Sequence, residues 1–422
     1  MRTSRTMVAL SALMIASPAL AADGEITVWA DATRQPAVEA FQAAHPEIQV
    51  NLVVDDGSSG ASGTFQTKIS LADQAGEGWP DVVFSTQNND AAWASRDNGN
   101  GAFAQVLNEG FLEQSFLDGF TPGALDPVTV DGKVYGLRND LAPVLFWYNK
   151  ALLEQFGYEP PTTWEGYQAL SDTLAAEHPG YFLGAIGDAF PGPYVYYWSG
   201  QAPIFQVEGE SFKSDTSAPN AQKVSALIDH MVANKTLTLD SVFGASFVEM
   251  ADKLVAIPGA AWYAGALFQN PAGVNAEPGE WAAAAPLYWE GADKVTGNVG
   301  GGVWYASSHT QNPDAVKQFL QYIVSNEDVA GTGGLPAYDA AASAWLDGQA
   351  SSGFFAGDFK AAIQAAASSV WSGWGYPNFS PETAWAKVIT PGLVGGQTMA
   401  ELSDAWEQEM KNEAQVVGYT VE

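Results

Sequence analysis

Cysteine is absent from the whole 422-residue sequence. That excludes disulfides, thiolate metal sites, a cysteine nucleophile and a lipid-modified N-terminal cysteine. Histidine is scarce: the four, His45, His178, His230 and His309, show no metal-ligand spacing, and two directly precede proline at expected helix ends. Arginine is scarce too, and beyond the N-terminal segment only Arg34, Arg96 and Arg138 remain. Because its fork is the best-shaped grip for phosphate or carboxylate, this shortage argues against an anionic ligand and favours a neutral, hydroxyl-rich one. Acidic residues outnumber basic ones by 48 to 17, a formal charge of −31, so nucleic acid and anionic membrane surfaces are unsuitable partners. No Gly-x-Ser-x-Gly elbow, phosphate-cradling glycine loop or dinucleotide fingerprint occurs. The loop "RDNGNG" lacks the spaced carboxylates and terminal glutamate of a calcium loop. These absences predict no metal and no cofactor.

Residues 1–21 combine early Arg2 and Arg5, an apolar stretch from Met7 to Ile15 and an Ala19-Leu20-Ala21 cleavage site, the pattern of a secretory signal peptide. No later stretch approaches the roughly 18 to 20 uninterrupted apolar residues of a membrane-spanning helix. Export without a lipid anchor predicts a soluble periplasmic protein. Its length predicts two domains, since single cores stop growing at roughly 250 to 300 residues.

Patterning then predicts the elements. "EITVWA" alternates as a strand; Val38, Phe41 and Ala44 lie at helical spacing; His45-Pro46 ends that helix before a strand from Ile48 to Val54. A Gly/Ser loop, an amphipathic helix and a short buried strand from Val82 to Phe84 follow. Strands alternating with helices predict a largely parallel sheet covered on both faces. Asp131-Gly132 predicts a hairpin turn, Val144 to Tyr148 a strand and Thr163 a helix cap. Val316, Phe319, Leu320 and Ile323 predict the buried stripe of a later helix.

The succession "FQAAHPEIQV", "WPDVVF", "DGKVYGL", "FWYNKALLEQFGYEPPTTWEGY", "GGGVWYASSHTQNPDAVKQFLQYIVS" and "GGLPA" resembles the extracellular solute-binding proteins of the sugar-binding group, related to maltose-binding protein. The resemblance runs through most of the chain after the leader. It implies an α/β fold of two lobes with a ligand cleft between them, hinge closure on the ligand, and delivery to the membrane permease of an ABC importer. It implies chain crossings near Leu141, Gly301 and Tyr338. The lobes are then 22–141 plus 301–338, and 142–300 plus 339–422. A monomer is expected.

Loops after parallel strands bind ligands in such folds, which selects Asp31 after the first strand and Ser85, Thr86, Gln87 and Asn88 after the strand of "PDVVF". Asp31 and Asn88 equally suit helix caps. Asp140 and Gly301 lie at proposed crossings, the first as a hydroxyl acceptor and the second where glycine permits a bend. Asp188, in "AIGDAFPGPYVYYW", is a second candidate acceptor or an exposed turn residue. By the resemblance, Trp262 in "KLVAIPGAAWY" presents an aromatic face to the cleft, with Tyr263 a polar contact or core. At least one of Trp371 and Trp374 is expected to join it, because an indole offers a broad face for a sugar ring. Trp29, Trp147 and Trp304 are expected in the core. The function implied is capture of a neutral saccharide or polyol, without catalysis. Two alternatives stay open on the residues: a secreted carbohydrate-active enzyme using paired carboxylates, and a binding protein for a cationic osmolyte in an aromatic cage.

Overall fold

The computed structural model describes residues 24–54, 64–97 and 99–422. The expected leader and the Gly/Ser loop before Thr64 lie outside the described residues. The rest builds two hydrophobic cores. One draws on residues from Ile26 to Leu137 and from Val303 to Ala337; the other draws on residues from Val144 to Val299 and from Leu335 to Ala414. Leu141 packs against both.

The first lobe starts with β1 (Glu25–Ala30), α1 (Gln35–Ala44) and β2 (Gln49–Val54), followed by α2 (Thr64–Ala75) and β3 (Val82–Ser85). Alternation in β1 buries Ile26, Val28 and Ala30 on one face. Trp29 therefore points to the opposite face, where it is half-buried beneath Lys68 rather than in the expected core position. Pro36 lies in the first turn of α1, Ala37, Val38 and Phe41 are its buried residues, and His45 ends it with an amide bond to the Phe41 carbonyl at 2.8 Å.

Leaving this lobe, the chain forms β4 (Leu137–Arg138) and β5 (Asp140–Leu141), then enters the second lobe through β6 (Val144–Asn149). Thr163 caps α3 (Trp164–Glu177) by accepting the Gly166 amide at 3.0 Å. After α4 (Pro219–Ala233), strands β7 (Ala256–Ala260) and β8 (Trp281–Ala284) flank β6, both antiparallel to it. Trp147 on β6 is fully buried, and its indole N–H donates to the Gly259 and Ala260 carbonyls, each at 3.2 Å.

The chain returns as β9 (Val303–Ala306) and α5 (Pro313–Ser325), with Val316, Phe319, Leu320 and Ile323 buried. The first-lobe sheet has the order β2-β1-β3-β9-β4. β2, β1 and β3 pair in parallel; β9 is antiparallel to both its neighbours, β3 and β4, so β4 runs in the same direction as the first three strands. The expected largely parallel arrangement thus holds for the direction of four of the five first-lobe strands, the exception being β9, which is delivered from the other lobe and needs no crossover; the sheet of β6, β7 and β8 in the second lobe is antiparallel. A last exchange, β10 (Leu335–Pro336) paired with β5, leads to α6 (Asp339–Ser352), α7 (Phe359–Ala367), the short α8 (Pro381–Ala384) and α9 (Met399–Val416). Thr398 and Glu401 form a reciprocal capping box at the start of α9.

Three crossing segments thus run side by side between the cores. The Asn139 amide bonds the Gly302 carbonyl at 2.8 Å, the Val299 amide bonds the Ala142 carbonyl at 2.9 Å, and the Ala337 amide bonds the Asn139 carbonyl at 3.2 Å. Trp304, fully buried on β9, donates to Asn139 Oδ1 at 3.0 Å. Gly300 and Gly301 both have left-handed backbone, with φ of 72° and 91°.

Candidate functional site

Strand ends of the first lobe supply one group of polar side chains. Asp31, after β1, accepts the Arg34 amide at 3.0 Å on Oδ1 and pairs with the Arg34 guanidinium at 3.0 Å on Oδ2. Both oxygens therefore have partners within its own turn, and the guanidinium lies over the Phe84 ring at 4.2 Å. After β3, Ser85, Gln87, Asn88, Asn89 and Asp90 are all buried although polar. Such burial requires partners, and Asp90 and Asn88 have them, whereas Asn89 Oδ1 has none. Ser85 and Gln66 donate to the Asp90 carboxylate, and Asn88 Nδ2 donates to the Gly300 carbonyl at 2.9 Å. Burial pushes Asp90 up to about 6 against these two bonds.

Asp140 and Gly301 sit at the crossings. Asp140 is buried, and its Oδ1 accepts the Gly302 amide at 2.9 Å and the Asn139 side chain at 3.0 Å. Here the carboxylate holds two crossing segments in register. Arg138, also buried, lies against Gly301 and donates through Nη2 to the Asp140 and Gly300 carbonyls at 3.0 and 3.3 Å. Its burial opposes the charge and pulls its pKa below the usual guanidinium range, with Asp140 nearby acting in the opposite direction.

In the second lobe, candidate residues immediately precede wide, π-helical turns. Asp188 and Phe190 lead into Pro191–Trp198, Trp262 and Tyr263 into Ala264–Phe268, and Glu382 into Trp385–Ile389. Such turns displace the backbone by one residue and are frequent at functional sites. Asp188 Oδ1 accepts the Ser241 hydroxyl at 2.7 Å and Oδ2 the Val242 amide at 2.8 Å, which ties the Phe190 and Phe243 loops together. Trp262 is half-buried, its centroid 5.7 Å from Phe190 and 6.1 Å from a nearly parallel Phe243. Phe243 is 56% exposed, unusual for so large an apolar ring. The Trp262 indole N–H donates to the Val299 carbonyl at 3.0 Å, so the ring is anchored to a crossing segment and offers a face rather than a donor.

The remaining expected aromatics divide. Trp371 is half-buried against the second core, while its backbone carbonyl accepts the Trp198 indole N–H at 2.7 Å. Trp374 is a core residue, correcting its placement on the cleft wall. It is 1% exposed, donates to the Ala202 carbonyl at 2.7 Å and stacks on Trp198 at 5.0 Å. Its sequence environment matches that of a wall tryptophan; only the surrounding Phe205, Trp198 and Tyr194 rings decide otherwise. Tyr263 is likewise buried, edge-on to Trp262 at 4.8 Å and packed on the Gly259 backbone. Burial, with Asp188 nearby, raises its phenol well above the ordinary range.

Glu382 and Asn89 were missed. In "PETAW" the glutamate reads only as an acidic residue in a first helical turn after proline. In the fold it is half-buried, and burial plus the Asp188 charge push its carboxyl up to about 7. A folded-state value above the unfolded 4.5 means that the folded chain retains a proton that the unfolded chain has released. The contribution of this carboxyl to stability therefore falls as pH rises from 4.5 through about 7, then levels off. Glu382→Gln is expected to raise stability at pH 8 by up to about 3 kcal/mol, the advantage vanishing below the unfolded value. Urea titrations of both proteins at pH 4 and pH 8 check this; equal differences at the two pH values would contradict it.

The sequence profile of the bacterial extracellular solute-binding proteins matches residues 25–330. The chain belongs to that family. This solute-binding protein is 25% identical over 336 residues to the lactose-binding protein of Rhizobium radiobacter, an alignment spanning 76% of this chain and 75% of that one. Its fold is similar to the galacto-N-biose/lacto-N-biose I-binding protein of a Bifidobacterium longum ABC transporter, solved with lacto-N-biose. The TM-score is 0.76 at 21% identity, covering 94% of this chain and 98% of that one. The binding protein of B. animalis subsp. lactis solved with beta-1,6-galactobiose gives 0.74 at 21% identity, with 94% and 99% covered. Both establish the two-lobed α/β fold. Among the described residues of this solute-binding protein, no helix is long and apolar enough to cross a membrane.

Proposed function

We propose that this protein captures a neutral saccharide or polyol between its lobes in the periplasm and presents it to the permease of an ABC importer. It acts as a monomer and performs no chemistry on the ligand. The lobes are 22–141 plus 301–338 and 142–300 plus 339–422, a division supported by the two separate cores. The observation that carries the reading is Trp262, a half-exposed indole face flanked by Phe190 and Phe243 and anchored to a crossing segment through its N–H. A pyranose ring presents C–H groups to such a face, while its hydroxyls need acceptors at the rim. Glu382 supplies one in its ionised form, and Gln87 and Thr86 follow the β3 strand end of the other lobe. Similarity to proteins named or solved with lactose, lacto-N-biose and beta-1,6-galactobiose supports a galactose-containing disaccharide as the first ligand to test.

Thermal melts with lactose, lacto-N-biose, beta-1,6-galactobiose, maltose and choline provide the test. A binder at a concentration one hundred times its Kd stabilises by about 2.7 kcal/mol, which moves the transition upward by several degrees. A micromolar Kd, about 8 kcal/mol, is expected for the disaccharide that shifts it most. A shift with choline alone, or hydrolysis of any sugar during incubation, would contradict the proposal.

A further inference from the structure

The loop after β3 touches more than its own lobe. Asn88 donates to the Gly300 carbonyl, which also receives Arg138 Nη2 from the first-lobe side and Asn298 Nδ2 at 2.9 Å from the second. One hinge carbonyl thus gathers donors from both lobes and from the crossing itself. The next residue reaches farther. Asn89 Nδ2 donates to the Pro377 carbonyl at 2.6 Å and to the Phe379 carbonyl at 3.1 Å, joining the first lobe to the segment that precedes Glu382. Asn89 is only 9% exposed, its Oδ1 has no partner, and Phe379 belongs to the second core.

From these contacts we infer that Asn89 is the catch of the hinge: a positioning residue that holds the lobes together before ligand arrives. Its two N–H groups fasten the second-lobe segment while its neighbour Asn88 fastens the same loop to the hinge. Rotation of one lobe away from the other must pull Asn89 from two backbone carbonyls that have no other side-chain donor among the bonds described. The closed arrangement therefore carries stability of its own, and part of the ligand's binding energy need not be used for closure. The inference rests on the reading of the chain as a hinge-closing binding protein, but its test uses no sugar, so it fails or stands independently of ligand identity.

The absence of cysteine permits clean labelling. Spin labels on Leu71→Cys and Val394→Cys, at positions 59% and 68% exposed on the first and second lobe, report lobe separation by double electron–electron resonance. The ligand-free protein is expected to show a short-distance population matching the structure. Asn89→Ala is expected to lower the ratio of short to long distances roughly ten-fold, the equivalent of two ordinary hydrogen bonds. Asn89→Asp, nearly isosteric but placing carboxylate oxygens against the two carbonyls, is expected to lower it at least as far, and it reports even where the alanine variant does not fold. Distance distributions that superimpose on the parent in these variants, or a parent with no short population, would overturn the inference.

Discussion

Gly301→Ala is expected to destabilise the folded chain by about 3 kcal/mol or more. Two costs combine. The residue has φ of 91°, where an L side chain is strained by roughly 1–2 kcal/mol. A Cβ there would also overlap Arg138 Nη2 and lie 2.7 Å from the Asp140 carbonyl oxygen, and neither neighbour can retreat freely, because the one is hydrogen-bonded to the other. Overpacking of this kind adds about 1–3 kcal/mol. Gly353→Ala serves as the comparison: its φ is 63°, but nothing lies within 4 Å of its added Cβ, so only the backbone cost of about 1 kcal/mol is expected. Urea unfolding of the two variants separates the terms. Equal losses would mean that the crossing segments yield to the new methyl group.

Trp262→Ala is expected to weaken saccharide binding by at least ten-fold, about 1.4 kcal/mol, while leaving the fold intact. The ring is half-buried and stands between two phenylalanines, so its removal takes away the stacking face without opening the core. Trp374→Ala is the contrasting case. That ring is 1% exposed and packed against the rings of Tyr194, Trp198 and Phe205, and its loss is expected to cost about 3–5 kcal/mol of stability. Titration calorimetry with the disaccharide that most stabilises the parent, together with urea melts, checks both. Unchanged affinity in the Trp262 variant would remove that ring from the site.

Much of the scaffold is legible from short-range pattern. The stripe Val316, Phe319, Leu320 and Ile323 is buried as its spacing predicts, Thr163 caps its helix, and Asp131-Gly132 turns between paired residues Val130 and Lys133. Each depends on neighbours a few residues away, through helical periodicity, an orphan amide or a left-handed turn. Trp29 shows the limit. Its residue type suggests core, whereas the alternation of β1 sends it to the less covered face.

The candidate site is of a different kind. Trp262 and Trp374 have similar residue surroundings, yet one offers a face and the other is enclosed by rings from distant positions. Asn89 meets carbonyls 288 and 290 residues away, and Glu382 acquires its raised proton affinity from burial and from Asp188, far off in sequence. No local periodicity encodes such meetings. By itself the sequence determined the elements, the acidic cysteine-free chemistry and the two-lobed family pattern, because those follow from composition and from residues within one or two turns of each other. Only the tertiary structure decided which aromatic rings remain available and which polar groups join the lobes, because burial and partner identity are set by the packing of segments hundreds of residues apart.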